Sequence, residues 1–149
     1  MRALGGIIAG LLIGLVIALA LTIVSIVIHP FPRDFNPRSA NDLATYYETA
    51  PFLALFMIVL GRFLGALAGG WVANAISGTR WTAWVIGIAL CAYIVIEMSG
   101  IPHPLWMQIT GVLAPLVGAA IAHHFAGRSR IEEDEVVEED EPHDEVSEL

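Results

Sequence analysis

Residues 51–76 read PFLALFMIVLGRFLGALAGGWVANAI, apolar throughout except for one guanidinium, Arg62, and one amide, Asn74. A helix buried in a soluble protein keeps a polar face, so a run this long and this uniformly apolar belongs in lipid. It lacks the alternation of a barrel strand. A helix is then the element that satisfies its own main-chain groups inside a bilayer.

Three more runs share the pattern. Residues 3–28 carry only Thr22 and Ser25 as polar side chains. At ~1.5 Å per residue they reach roughly 39 Å, more than the ~30 Å hydrocarbon core. Residues 81–98 are apolar up to Glu97, and residues 105–126 hold Gln108, Thr110 and the terminal pair His123-His124. The first run continues past Ala18-Leu19-Ala20 to Ile28, so it reads as an uncleaved anchor rather than a signal peptide. The connections at 77–80 and 99–104 are short, which makes sequential helices antiparallel neighbours. The expected fold is all-α: four transmembrane helices in an up-down-up-down bundle within residues 1–130.

Composition agrees. Of 149 residues 56% are hydrophobic and 15% charged, against about 25% charged in an ordinary soluble domain. The mean hydropathy is +0.71. Residues 131–149 hold 11 of the 15 acidic residues and no arginine. With no aromatic side chain and little apolar content, this acidic tail is expected to be disordered. It reads as a solvated cytoplasmic tail, or as a docking segment for a basic cytoplasmic partner. A soluble enzyme, a nucleic-acid binder and a disulfide-built domain are disfavoured, and Cys91, the single cysteine, has no partner for an internal bridge.

Orientation follows from arginine, as the chain has no lysine. With the N-terminus inside, Arg2, Arg80, Arg128 and Arg130 are cytoplasmic, and Arg33 and Arg38 lie outside. Both termini are expected in the cytoplasm of a cell whose inner membrane holds the protein. The outer loop 29–50 starts with His29-Pro30-Phe31-Pro32, which cannot continue a regular helix. Ser39-Ala40-Asn41-Asp42 then reads as a capping box, opening a short amphipathic helix with Leu43, Tyr46 and Tyr47 on one face. Pro51 either opens the next helix or kinks one that began near Ser39.

Small residues recur every four positions at Gly6, Gly10, Gly14 and Ala18, and again at Gly61, Gly65, Gly69 and Ala73. This glycine-zipper spacing lets helix backbones approach, and association in lipid relies on such packing. Packing of the first helix on the second and homo-oligomerisation are both open to it. Arg62 sits near the middle of its run, where a charge costs about 2.5–3.5 kcal/mol and needs a partner or water. Glu97 is the other charge inside a run. The two either form a structural pair or line a pathway. His29 and His103 are polar candidates at the outer mouth, with Glu97 and either Asp34 or Glu48 nearby, but no metal-ligand spacing accompanies them. No metal or other cofactor is expected, and no catalytic triad, phosphate loop or nucleotide motif appears.

Residues 64–73 and 113–122 align at an offset of 49, matching Leu64, Leu67, Gly69 and Ala73 to Leu113, Leu116, Gly118 and Ala122. Each run follows a hairpin with a His-Pro pair, His29-Pro30 or His103-Pro104, as a parallel repeat of two hairpins would.

His29-Pro30, the stretch LGALAGG at 64–70 and IPHPLW at 101–106 are the features by which the chain resembles an uncharacterised family of small four-helix bacterial integral membrane proteins. The resemblance covers roughly residues 4–125 and implies fold and location, with no activity. The chain is expected to be a non-enzymatic accessory or scaffold protein in the lipid bilayer. The alternative is a small transporter or channel with Arg62 and Glu97 in its pathway.

Overall fold

The computed structural model describes residues 1–100 and 103–139, with side chains up to residue 125. Its elements are α1 (Arg2–Ile28), α2 (Ala40–Thr49), α3 (Phe52–Ser77), α4 (Thr82–Met98) and α5 (Leu105–Glu139). No strand occurs among the described residues. Three helices, Arg2–Ile28, Phe52–Ser77 and Leu105–Phe125, are long and apolar enough to cross a membrane. Helix α4 is apolar but has 17 residues, so it spans ~26 Å against the ~30 Å core.

Local chemistry sets the ends. Helix α1 stops at His29, ahead of Pro30. Ser39 is the N-cap of α2, and its hydroxyl accepts the Asp42 N–H at 3.3 Å. Pro51 has an extended backbone and is the N-cap of α3, so α2 and α3 are separate helices rather than one kinked helix. Helix α3 ends at Gly78 in the left-handed region (φ 68°, ψ 15°), where a side chain would be strained. Asn74 then joins three helices. Its side-chain oxygen accepts from Thr82 Oγ1 (2.9 Å) and the Ala83 N–H (3.0 Å), capping the start of α4. Its amide nitrogen donates to the Ala122 carbonyl of α5 at 3.2 Å.

Helices α1 and α3 run antiparallel with their small residues face to face. A methyl carbon at Gly6 would lie 2.7 Å from the Ala73 carbonyl oxygen, and one at Gly14 2.8 Å from that of Gly65. Gly10 faces Gly69 across the same seam, and Gly61 faces Ala18 and Leu21. The main chains themselves are in contact.

The long helices that follow one another in the chain are all in contact, and α3 packs on α5 as well. Helix α3 is central, touching α1, α4 and α5. Its contact with α5 is parallel: Gly118 meets Phe63 and Leu67, and further along both helices Asn74 meets Ala122. Short connections fix which helices are antiparallel but not which pairs pack most closely. Gly70, with Ala122 and Ala83 near its Cα, and Gly118 let α5 come in close.

The tail is a correction. Helix α5 continues without a break from Leu105 to Glu139, so residues 131–139 are helical where disorder was expected. Glutamate is a strong helix former, no proline occurs between Pro115 and Pro142, and the segment extends a helix already nucleated. His123-His124 therefore lie inside α5 and do not end it. His123 Nδ1 is 3.0 Å from the Arg80 carbonyl oxygen. Residues 140–149 of the acidic tail, and Ile101 and Pro102 of the second hairpin, lie outside the described residues.

The seam can be tested directly. Gly10→Ile and Gly65→Ile should each lower stability in detergent by about 1–3 kcal/mol through overpacking. Gly5→Ile, at a position with nothing within 4 Å of its would-be Cβ, should unfold like the parent chain. Equal stability of all four proteins would show that the glycine faces are not in contact.

Candidate functional site

Arg62 lies ~15 Å along α3 and is 6% exposed. Its Nη2 donates to Glu97 Oε2 at 3.1 Å, joining α3 to the last turn of α4. The partners are unequally covered, with side-chain exposures of 7% for Arg62 and 34% for Glu97. The carboxylate is the accessible half of the pair.

The other guanidinium nitrogen, Nη1, is buried and has no hydrogen-bond partner. It lies against α5 at Gly111, where a methyl carbon would be 2.7 Å from Nη1 and 3.0 Å from Met98 Cε. Four residues on, Pro115 sits inside α5. A proline has no N–H, so the Gly111 carbonyl loses its regular helical donor. The bare α-carbon of Gly111 makes room for the guanidinium, and Pro115 leaves an acceptor on the same turn.

A cavity of about 180 Å³ opens beside the pair. Leu15 and Leu19 of α1 and Leu90 and Ile94 of α4 form its apolar walls, with Ile58 and Arg62 of α3 behind. Its polar rim is Glu97, Tyr93 and Tyr47, with Thr22 of α1, whose hydroxyl is bonded to the Ala18 carbonyl at 2.9 Å. Tyr47 comes from α2, which brings a phenol over the ion pair. Burial, and then the Glu97 carboxylate, push the Tyr47 hydroxyl above its ordinary value of 10.0; the Arg62 charge offsets this in part. The phenol stays protonated and available as a donor.

Aromatic rings hold α2 in place. Tyr46 is buried, its hydroxyl donates to the His29 carbonyl at 2.7 Å, and its ring is 4.8 Å from the His29 ring and 4.7 Å from Phe31. The Tyr47 ring is 4.3 Å from that of His103. The two outer-mouth histidines thus flank Tyr46 and Tyr47 as ring partners and do not meet each other. No group of three or more His, Cys, Asp or Glu that could hold a metal occurs among the described residues. Asp42 is occupied with the start of α2, where its carboxylate contacts the Ser39 hydroxyl at 3.1 Å and accepts the Asn36 N–H at 3.0 Å.

The structure places the other candidates as follows. Gly6, Gly10, Gly14, Gly61, Gly65 and Gly69 form the α1–α3 seam. Sequence reasoning passed over Gly111, Tyr93 and the role of Tyr47 as a roof.

The raised hydroxyls give a pH dependence of known sign. A group bound more tightly to its proton in the folded state contributes stability that is fully present below its unfolded pKa, here 10.0, and is lost as pH rises through the folded value. Thermal stability in detergent should therefore fall above pH 10. Tyr47→Phe should make that loss shallower, with Tyr46, raised by burial, supplying the remainder. An unchanged alkaline profile in Tyr47→Phe would remove Tyr47 from the buried site.

Compared with family models, curated proteins and solved structures, the chain matches none of them.

Proposed function

We propose that the chain is an integral protein of the bacterial inner membrane in which four helices cross. In this reading it is a non-enzymatic accessory or scaffold protein with both termini cytoplasmic. Spans of 17 residues lie at the short end of the usual range, and α4 has Trp81 and Trp84 at one end to anchor it. The observation that carries the reading is the closure of the chain on itself: Arg62 is paired with Glu97, and α1 and α3 touch through main-chain atoms along the glycine seam. The cavity lining reaches no deeper than Leu15 and Leu90, which favours a closed scaffold over an open pore. The glycine faces are occupied within the chain, so homo-oligomerisation would have to use other surfaces. The acidic extension of α5 offers charge to a basic cytoplasmic partner.

The second reading, a small transporter with Arg62 and Glu97 in its pathway, has one observation in its favour. Both charges lie on the wall of a cavity.

Two measurements separate these readings. In a Cys91→Ser background, Ser39→Cys should react with a membrane-impermeant maleimide from the periplasmic side, while reporters fused at Met1 and Leu149 stay cytoplasmic. Labelling of Ser39→Cys from the cytoplasm alone would overturn the topology. Purified protein in liposomes should pass protons and potassium no faster than lipid alone. A flux that Glu97→Gln abolishes would establish the transport reading instead.

A further inference from the structure

The cavity beside the ion pair is open on one side. Three of its lining residues, Leu15 (50% exposed), Leu19 (58%) and Tyr93 (56%), are also on the outer surface of the helices. Helices α1 and α4 approach each other deeper in, at Gly10–Ile86 and Gly14–Leu90. Beyond Leu15 and Leu90 the cavity runs between them, so it is a crevice with a lateral mouth between α1 and α4. In a membrane that mouth faces the acyl chains.

Polarity changes along the crevice. Glu97 and Tyr47 are at the end nearest α2, Tyr93 is about one helical turn inward, and Leu15 and Leu90 close the far end. An amphiphile in the outer leaflet has the same order, with its head outward and its chain inward. The volume of about 180 Å³ suits one slender chain and no larger body. Among the described residues, Glu97 Oε1 and the hydroxyls of Tyr47 and Tyr93 have no hydrogen bond within the chain. Arg62 is nine-tenths buried, whereas Glu97 is the exposed member of the pair. A ligand head therefore meets a carboxylate oxygen and two phenols before it meets a cation. The carboxylate is the charge nearest the mouth and each phenol can accept as well as donate, so the set favours a head that brings a hydrogen-bond donor over one that brings negative charge.

We infer that the α1–α4 crevice is a binding site for a single-chain amphiphile whose head is a hydroxyl or an ammonium group. The chain lies along Leu15, Leu19, Leu90 and Ile94, and the head donates to Glu97 with Tyr47 closing over it. Placement in the outer leaflet rests on the proposed topology. Binding itself does not, because the crevice is formed by α1, α3 and α4 whichever way the helices face.

The test uses the purified full chain in digitonin micelles, whose rigid steroid body is too broad for the crevice, with unfolding followed by circular dichroism. Decylamine, decanol and decanoate serve as probes at matched concentrations. The amine and the alcohol should raise Tm saturably, by roughly 5 °C, and decanoate should not. Leu19→Trp fills the lateral mouth from an exposed position, so it should fold as before and lose the shift. Glu97→Gln should lose the amine response and keep much of the alcohol response. Equal shifts from decanoate, or full shifts in Leu19→Trp, would overturn the assignment. Mass spectrometry of the protein extracted from membranes distinguishes the sources. A retained neutral or cationic lipid identifies the bilayer as the supplier, and an empty protein that binds added probe identifies a free amphiphile. Retention of an anionic lipid that Leu19→Trp releases would contradict the head-group chemistry. If the labelling of Ser39→Cys reversed the topology while the probes still bound, only the leaflet would change.

Discussion

A guanidinium in the middle of an apolar helix has to find an opposite charge or water, and the half of this molecule nearest α2 is arranged around that requirement. Leaving Arg62 alone in hydrocarbon would cost about 2.5–3.5 kcal/mol on insertion scales. Glu97 answers it from the last turn of α4, which fixes where α4 sits against α3. Gly111 leaves space for the second guanidinium nitrogen, and Pro115 frees a carbonyl on the same turn. Tyr47 covers the pair from α2, and the Tyr46–His29 contacts keep α2 there. Charge, notch and roof form one unit built from four helices.

The half away from α2 is held by a different force. Lipid supplies no hydrophobic drive for helix association, so contact area and hydrogen bonds must do it. Missing side chains bring α1 onto α3 until main-chain atoms touch at Gly14 and Gly65. Asn74 adds hydrogen bonds to the starting turn of α4 and to Ala122 of α5. The two halves leave different room between α1 and α4: contact at Gly10 and Gly14, and a crevice beyond them. A crevice with apolar walls and a carboxylate at its rim results from seating an ion pair next to a glycine seam.

Much of this was legible in the sequence, and the limits have physical causes. Helix boundaries followed from local rules at His29-Pro30 and Ser39, because caps and breakers act within a few residues, whereas Pro51 left a helix start and a kink both open. Arg62 and Glu97 stood out because charge is rare in such runs. The close parallel approach of α3 and α5 was not legible, since apolar residues such as Leu64 and Leu67 carry no mark of which neighbour they meet. Gly111 was hidden for a related reason: a glycine shows that space is needed without showing what fills it. The helical state of residues 131–139 was misjudged by composition, which reports whether a segment can fold alone and not whether it extends an existing helix.

The central claim is that Arg62 and Glu97 act as one unit. A double-mutant cycle on unfolding in detergent measures this coupling directly. Removing one member of a buried pair typically costs 3–5 kcal/mol, while removing both can be nearly neutral. Headgroups and water soften the figure in a membrane protein. Arg62→Leu and Glu97→Leu should each destabilise the protein, and Arg62→Leu/Glu97→Gln should recover much of the loss. Purely additive effects would contradict the account, because Arg62 would then be held by something other than Glu97.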